Sequence, residues 1–274
     1  MGSWTLAPQK VVEGVSTMAK KRGIYHTMKF VSLDLWGNKL GLTLNGRTRE
    51  LLFWEKQVVG LGEFASNFRE KADRRRQALR FPQQIMPFIE AQKRLLKTAP
   101  KVLDVGCGPV SILASAHYSN LIELTATDTL GEPYNKMLED YGHAGAMSGI
   151  RFVQSRAEHL DWKFKGERFD IAYCHNALDH TQSPVDAFRQ MSLMVKEGGY
   201  LVVSGHTRAG SLKGWDSIHQ HDLFVQNGVL YLESRKRDRV RLDLDVPLLL
   251  ILAEEAMVDG QQRFFVVYKK VLHS

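Results

Sequence analysis

Between residues 101 and 207, short apolar runs alternate with stretches of good helix formers, and few architectures accommodate that alternation. Lys101–Val105 reads as a buried strand closed by glycines, with a helix over 110–118. Further strands are expected over 121–127, 150–154, 169–174 and 200–204. Helices are expected over 134–141 and 184–196, the latter capped by Gly198-Gly199. The pattern predicts a mostly parallel sheet with helices on both faces, the doubly wound α/β arrangement. Upstream, apolar residues alternate over 27–47 around the Asn45-Gly46 pair, which predicts a small hairpin. The stretch 61–97 is rich in helix formers and interrupted by Pro82 and Pro87, predicting two or three helices. Downstream, a β-rich part is expected, with strands over 229–232, 240–244 and 263–271, whereas 248–258 fits helix or strand.

Gly106 and Gly108, directly after the first strand, let the backbone turn tightly and approach a ligand, and a following helix aims its amides at the same point. Such a loop suits a nucleotide. Asp128, closing the second strand, can accept hydrogen bonds from both hydroxyls of a ribose. A nicotinamide enzyme would share these features, but two residues argue otherwise. Asp104 stands two residues before the first glycine, where a carboxylate suits a cationic amino group better than a pyrophosphate. Position 111 is Ser rather than the third glycine of a dinucleotide fingerprint.

Leu103-Asp104-Val105-Gly106-Cys107-Gly108-Pro109 with Asp128, the run from Phe169 to His180, and Val195-Lys196-Glu197-Gly198-Gly199-Tyr200-Leu201 resemble the class I, seven-stranded S-adenosylmethionine-dependent methyltransferase superfamily. The resemblance implies a Rossmann-like sheet of seven strands, with S-adenosylmethionine as cofactor and S-adenosylhomocysteine as product. It places Asp104, Gly106, Cys107 and Gly108 along the methionine part, Asp128 at the ribose and Thr129 beside the adenine. Cys174, His175 and Asn176 would pass under the sulfonium. Where many relatives carry an Asp for the adenine amino group, this chain has Arg156; the amide of Ala157 or the carboxylate of Glu158 would take over, although Glu158 reads equally well as a solvated turn residue. The expected organisation is a methyltransferase domain over 100–274 with an insertion at about 208–245, preceded by an extension over 1–99 whose helices form a lid over the acceptor.

Methyl transfer is an in-line displacement at a sulfonium, so a protein positions the two reactants and removes a proton from the acceptor. His180 and His206 fall at the ends of the fourth and fifth strands and are the candidate bases, with His175 close by and Asp179 able to orient a neighbour. The plain alternative for each histidine is packing or helix capping. The polar, aromatic stretch 214–222 makes Trp215, His219 and His221 candidate substrate contacts. Asp216, His219, His221 and Asp222 also have metal-ligand chemistry, yet no zinc spacing is met, so no metal is expected. The stretch loosely resembles a His-Gln-Trp region of bacterial methyltransferases of glycan and secondary-metabolite clusters, with His221 in place of the Trp.

The acceptor is expected to be a small molecule or glycan methylated on oxygen. No Asp/Asn-Pro-Pro-aromatic tetrapeptide follows the fourth strand, where His175-Asn176-Ala177-Leu178 stands, and no Pro-Cys pair is present, so base-directed nucleic-acid chemistry is disfavoured. The basic N-terminal region, in a chain of formal charge +7, keeps an N-methyltransferase or an RNA-ribose or protein methyltransferase open, and a non-catalytic cofactor-binding or interaction protein is the alternative of another class. The basic runs at 20–22, 69–80, 93–101 and 235–241 read first as solvated faces. Two cysteines give neither a disulfide framework nor a zinc cluster. The longest apolar run, 246–253, contains Pro247 and is too short to span a bilayer. With no recognisable leader in the sequence, a cytoplasmic protein is expected.

Overall fold

In the computed structural model, which describes residues 46–62, 65–72, 82–216 and 218–271, the run Lys101–Val105 forms strand β1 with only its first residue exposed. A strand buried on both faces belongs in the middle of a parallel sheet. β1 pairs in parallel with β2 (Glu123–Asp128) on one side and β4 (Phe169–His175) on the other. β3 (Arg151–Gln154) extends the sheet beyond β2, and β5 (Val195–His206) beyond β4, again in parallel. β10 (Gln261–Lys270) then runs antiparallel to both β5 and the edge strand β9 (Leu248–Val258). The order is therefore β3-β2-β1-β4-β5-β10-β9. It reverses direction between β1 and β4, which opens a crevice at their carboxyl ends, where doubly wound sheets bind ligands.

Alternation along the strands assigns side chains to two layers. Leu103, Val105, Ala172, Leu201 and Val203 face one apolar cluster with α6 (Leu160–Phe164) and α7 (Pro184–Met194). Val102, Ile171, Tyr173 and Val202 face the other with α3 (Met86–Leu96) and α4 (Ala114–Tyr118). Phe188 of α7 is fully buried, its ring edge-on to Tyr268 at 5.4 Å between centroids. Phe188→Ala is expected to lower the unfolding free energy by about 3–5 kcal/mol, through lost burial and the cavity left behind, as read by urea denaturation. α1 (Gly46–Val58) and α2 (Ala65–Ala72) form a third cluster with α5 (Gly131–Asp140), in which Val58 and Phe68 meet Tyr134, Met137 and Leu138. Between β5 and β9 lie α8 (Ala209–Leu212) and an antiparallel sheet of β6 (His221–Gln226), β7 (Val229–Ser234) and β8 (Arg239–Arg241).

Several elements depart from expectation for local reasons. Residues 110–113 form a turn rather than the start of a helix: Ser111 Oγ donates to Asp104 Oδ2 at 2.5 Å and accepts from Leu113 N at 3.0 Å, a local bond that competes with helix formation. α7 stops at Met194, and Gly198-Gly199 lies inside β5 instead of capping the helix. Val195 is already extended, and Lys196 Nζ reaches Asp170 Oδ1 at 2.7 Å. A Cβ on Gly199 would sit 2.6 Å from the Asp170 carbonyl, so the strand passes close there only as glycine. Pro87 sits in the first turn of α3, where a missing amide costs nothing, rather than breaking a helix. The hairpin expected over 27–47 lies outside the described residues except at Gly46 and Arg47, which open α1. In the basic run 235–241, Arg237 and Arg239 pair with Glu233, and Arg241 with Asp243. No helix among the described residues is long and apolar enough to cross a membrane.

Candidate active site

The glycine loop is built by hydrogen bonds from β1 to β2. Gly106 N and Cys107 N both donate to the Thr127 carbonyl, at 2.8 and 3.1 Å. Gly108 N donates to Asp128 Oδ2 at 3.0 Å, and Leu130 N to Asp128 Oδ1 at 2.9 Å. The carboxylate that ends β2 thus holds both the loop and the start of α5. Both glycines are left-handed, with φ of +72° and +65°. A Cβ on Gly106 would lie 2.3 Å from Ala177 Cβ, and one on Gly108 would lie 3.1 Å from Trp54 of α1. The chain therefore approaches itself here as closely as glycine permits. Burial raises the Asp128 carboxyl to about 6; the amides of Leu130 and Gly108 oppose that rise and the Glu50 carboxylate adds to it.

The other expected cofactor positions lie around this loop with different surroundings. Asp104 is buried at the end of β1 and holds Ser111, so its carboxylate shapes the loop from beneath. Cys107 is buried, its Sγ 3.1 Å from the Gly108 carbonyl. Thr129 is exposed, and its carbonyl accepts from Gln154 Nε2. Ala157 and Glu158 fall in a 3-10 turn, Ala157–His159. Glu158 Oε1 accepts from Gln182 N at 2.9 Å and Ser183 N at 3.3 Å, just before α7, and the carboxylate also meets Arg156. Burial raises the Glu158 carboxyl, but these hydrogen bonds and the Arg156 charge outweigh it and lower it overall. Its oxygens are thus employed in joining the turn to α7.

At the end of β4, Cys174 is buried among apolar side chains, which pushes its thiol far above the ordinary range. His175 Nδ1 lies 2.8 Å from Ser204 Oγ, and Asn176 Nδ2 lies 3.2 Å from His175 Nε2. Ser204 donates on to the Tyr173 hydroxyl. A proton on Nδ1 suits both of these contacts, with Nδ1 donating to Ser204 Oγ and Nε2 accepting from Asn176 Nδ2. Asn176, left-handed at φ +50°, accepts from His206 N at 3.0 Å through Oδ1 and ties β4 to the end of β5. His206 is half-buried; desolvation and the Arg263 charge lower its pKa, leaving the ring neutral at pH 7.

His180, in the 3-10 turn Leu178–His180, is placed differently. Its Nδ1 faces Glu50 Oε2 at 3.4 Å, and its Nε2 lies 3.1 Å from His219 Nδ1 and 3.5 Å from Asp179 Oδ2. His219 Nδ1 is in turn 2.7 Å from Asp179 Oδ2. Burial pulls His180 down, but Asp179 and Glu50, helped by Asp216, raise it to about 9. Among the four residues of 214–222 with ligand chemistry, only His219 joins this group. Asp216 Oδ1 instead accepts from the amides of Ile218 and His219, while His221 and Asp222 enter β6. Asp222 is fully buried beside Arg208. Trp215 lies against Gly210, where a Cβ would come within 2.8 Å of its ring.

The sequence motifs did not single out Glu50 and Trp54. Trp54 Nε1 donates to Glu50 Oε1 at 3.0 Å, so one turn of α1 presents an indole to Gly108 and a carboxylate to His180. Their i, i+4 spacing is the only local signal, and it looks like any helical pair.

Residues 103–203 match a family model described as a methyltransferase domain. This segment is a methyltransferase domain. The match runs from β1 to β5 and includes the glycine loop, Asp128 and the end of β4. The chain is 32% identical over 105 residues to the ubiquinone biosynthesis O-methyltransferase of Aliivibrio fischeri strain MJ11, covering 38% of this chain and 43% of that protein. It is 33% identical over 117 residues to the enzyme of the same name from Escherichia coli O127:H6, covering 42% and 45%. The chain thus spans less than half the length of these curated relatives. Among solved structures it is similar to the Burkholderia thailandensis 1,6-didemethyltoxoflavin-N1-methyltransferase, at a TM-score of 0.43 and 15% identity, covering 68% of this chain and 77% of that one.

Proposed function

We propose that the chain transfers the methyl group of S-adenosylmethionine to an oxygen of a small molecule or glycan. The observation that carries this reading is the glycine loop held by Asp128 at the switch point between β1 and β4. A ribose diol bound to that carboxylate would set the sulfonium toward the end of β4, near Asn176. Two curated relatives that match part of the chain are named O-methyltransferases, which supports oxygen over nitrogen as the acceptor atom. The ion-paired run 235–241 offers fewer uncommitted cations for phosphate contacts, which favours a small acceptor over RNA. α1 supplies the lid: Trp54 over Gly108 and Glu50 beside His180 cover the crevice from the same helix.

The proton of the acceptor hydroxyl goes to His206, whose backbone is tied to Asn176 and whose ring is neutral at pH 7. His206→Ala is expected to lower turnover by roughly 100-fold or more while S-adenosylhomocysteine affinity stays within about twofold. A fall in affinity equal to the fall in turnover would show that His206 holds the cofactor instead. The reaction is tested by screening phenolic and sugar hydroxyl acceptors with a homocysteine-release assay. Hydroxyl acceptors should be turned over, and activity confined to amines or RNA would overturn the choice of acceptor.

A further inference from the structure

We propose that Asp179, His180 and His219 bind a divalent first-row transition-metal ion, through Asp179 Oδ2, His180 Nε2 and His219 Nδ1. These three are the only described residues in a group with metal-ligand geometry. Their converging atoms form a triangle with edges of 2.7, 3.1 and 3.5 Å. Ligands about 2.0–2.1 Å from one ion stand roughly 2.9 Å apart in an octahedron and roughly 3.3 Å apart in a tetrahedron. The triangle brackets both values. Its circumradius is about 1.8 Å, so a point about 2.05 Å from all three atoms lies roughly 1 Å above their plane. Two imidazoles and one carboxylate on a single face are the donor set of catalytic zinc sites and of open three-ligand sites for other first-row ions.

The surroundings fit that assignment. His180 turns its other nitrogen to Glu50 Oε2 at 3.4 Å, the carboxylate–imidazole arrangement that fixes the orientation of a metal-bound histidine. The amide of His219 is anchored by Asp216 Oδ1 at 2.8 Å, which fixes the loop that carries the third ligand. Asp179 and Glu50 together supply two negative charges against the two of the ion. The imidazoles of His180 and His219 keep about a quarter and a fifth of their surface open, so a coordination position can face the crevice. Ala177, which contacts the glycine loop, lies only two residues before Asp179, placing the ion beside the cofactor crevice.

One consequence rests on the methyltransferase reading above. The acceptor hydroxyl takes the open position, the ion lowers its pKa, and its proton leaves to His206 or solvent. The resulting oxyanion attacks the methyl carbon; the O–C bond forms as the C–S bond breaks, and its electron pair goes to sulfur, leaving a neutral thioether.

The test uses the full chain, stripped with chelator and titrated with Zn²⁺ by calorimetry and with Co²⁺ by visible absorption. One ion per chain is expected, with ligand-field bands for Co²⁺ that require imidazole nitrogen. His219→Ala, on a loop outside both main apolar clusters, and Asp179→Asn should each weaken Zn²⁺ binding at least tenfold, and Glu50→Gln about tenfold. His221→Ala should leave metal affinity unchanged. Absence of binding, or binding that survives both His219→Ala and Asp179→Asn in folded protein, would overturn the site. If the ion binds but chelation leaves turnover intact, its role at the acceptor is overturned. S-adenosylhomocysteine binding measured on the stripped chain reports the methyltransferase reading separately, since cofactor contacts do not pass through the ion.

Discussion

Asp128→Ala should reduce S-adenosylhomocysteine affinity by roughly 100-fold or more. Two hydrogen bonds from a ribose diol to one carboxylate are worth about 1.5–3 kcal/mol each, and 1.4 kcal/mol is a factor of ten. The same change releases Gly108 N and Leu130 N, which now converge on the two carboxylate oxygens, so the loop loses its anchor to β2 as well. The charge state supplies a second signature. With its carboxyl raised to about 6, Asp128 takes up a proton as the pH falls through that value. The protonated acid no longer accepts from both hydroxyls, and cofactor affinity should decline below about pH 6. Stability carries the opposite sign. The folded-state pKa is above the ordinary value of 3.8, so the contribution of Asp128 is fully present below that value and is lost as the pH rises through about 6. The stability difference between wild type and Asp128→Asn should therefore shift against wild type between pH 4 and 7. A pH-independent difference would show that Asp128 is not desolvated as described.

Among the described glycines with positive φ, Gly106 should tolerate an added methyl least. At φ +72° an L-residue costs about 1–3 kcal/mol in backbone strain. The new Cβ would also lie 2.3 Å from Ala177 Cβ, where carbon atoms rest at about 3.5–4.0 Å, so β1 or the β4 loop must move. Together these predict a loss of about 2–6 kcal/mol in urea denaturation and weakened cofactor binding. Gly166→Ala separates the two causes. Gly166 has a φ of +87° but open space around its missing Cβ, so only the strain should appear there. Ala177→Gly in the Gly106→Ala background should recover the overlap part. Equal stability of the single and double variants would place the damage elsewhere.

How much of this was readable beforehand depends on where each signal resides. β1 matched its expected bounds, and β4 fell within one residue, because both are buried on two faces and their apolar runs end at polar or glycine positions. The order of motifs along the chain carried the fold class, a doubly wound and mostly parallel sheet, but not the crossover that pairs β4 with β1 rather than with β3. β9 resisted because it is an edge strand whose burial alternates irregularly over eleven residues, a pattern shared by an amphipathic helix. No strand was expected over β6, whose first two residues, His221 and Asp222, fall in the polar stretch 214–222; its buried aspartate is matched by Arg208, contributed from outside the strand. The α7–β5 junction was misread because a glycine pair after a helix normally caps it, and here the close carbonyl of Asp170 draws the glycines into the strand.

The site divides along the same line. Gly106, Gly108 and Asp128 lie on adjacent strand ends, and their roles follow from local spacing. The Asp179–His180–His219 group joins two segments forty residues apart, and Glu50 comes from a helix more than a hundred residues earlier. Spacing rules see ligand clusters only within one stretch, so the 214–222 segment offered four candidates, of which only His219 joins the Asp179–His180 group.

We propose that the loop from Gly106 to Gly108, held by Asp128, binds the cofactor. Calorimetric titration of the wild-type chain with S-adenosylhomocysteine at pH 7.5 tests it most directly. One molecule per chain with micromolar affinity, lost in Asp128→Ala, is the predicted result, and no heat of binding at millimolar ligand with folded protein would contradict it.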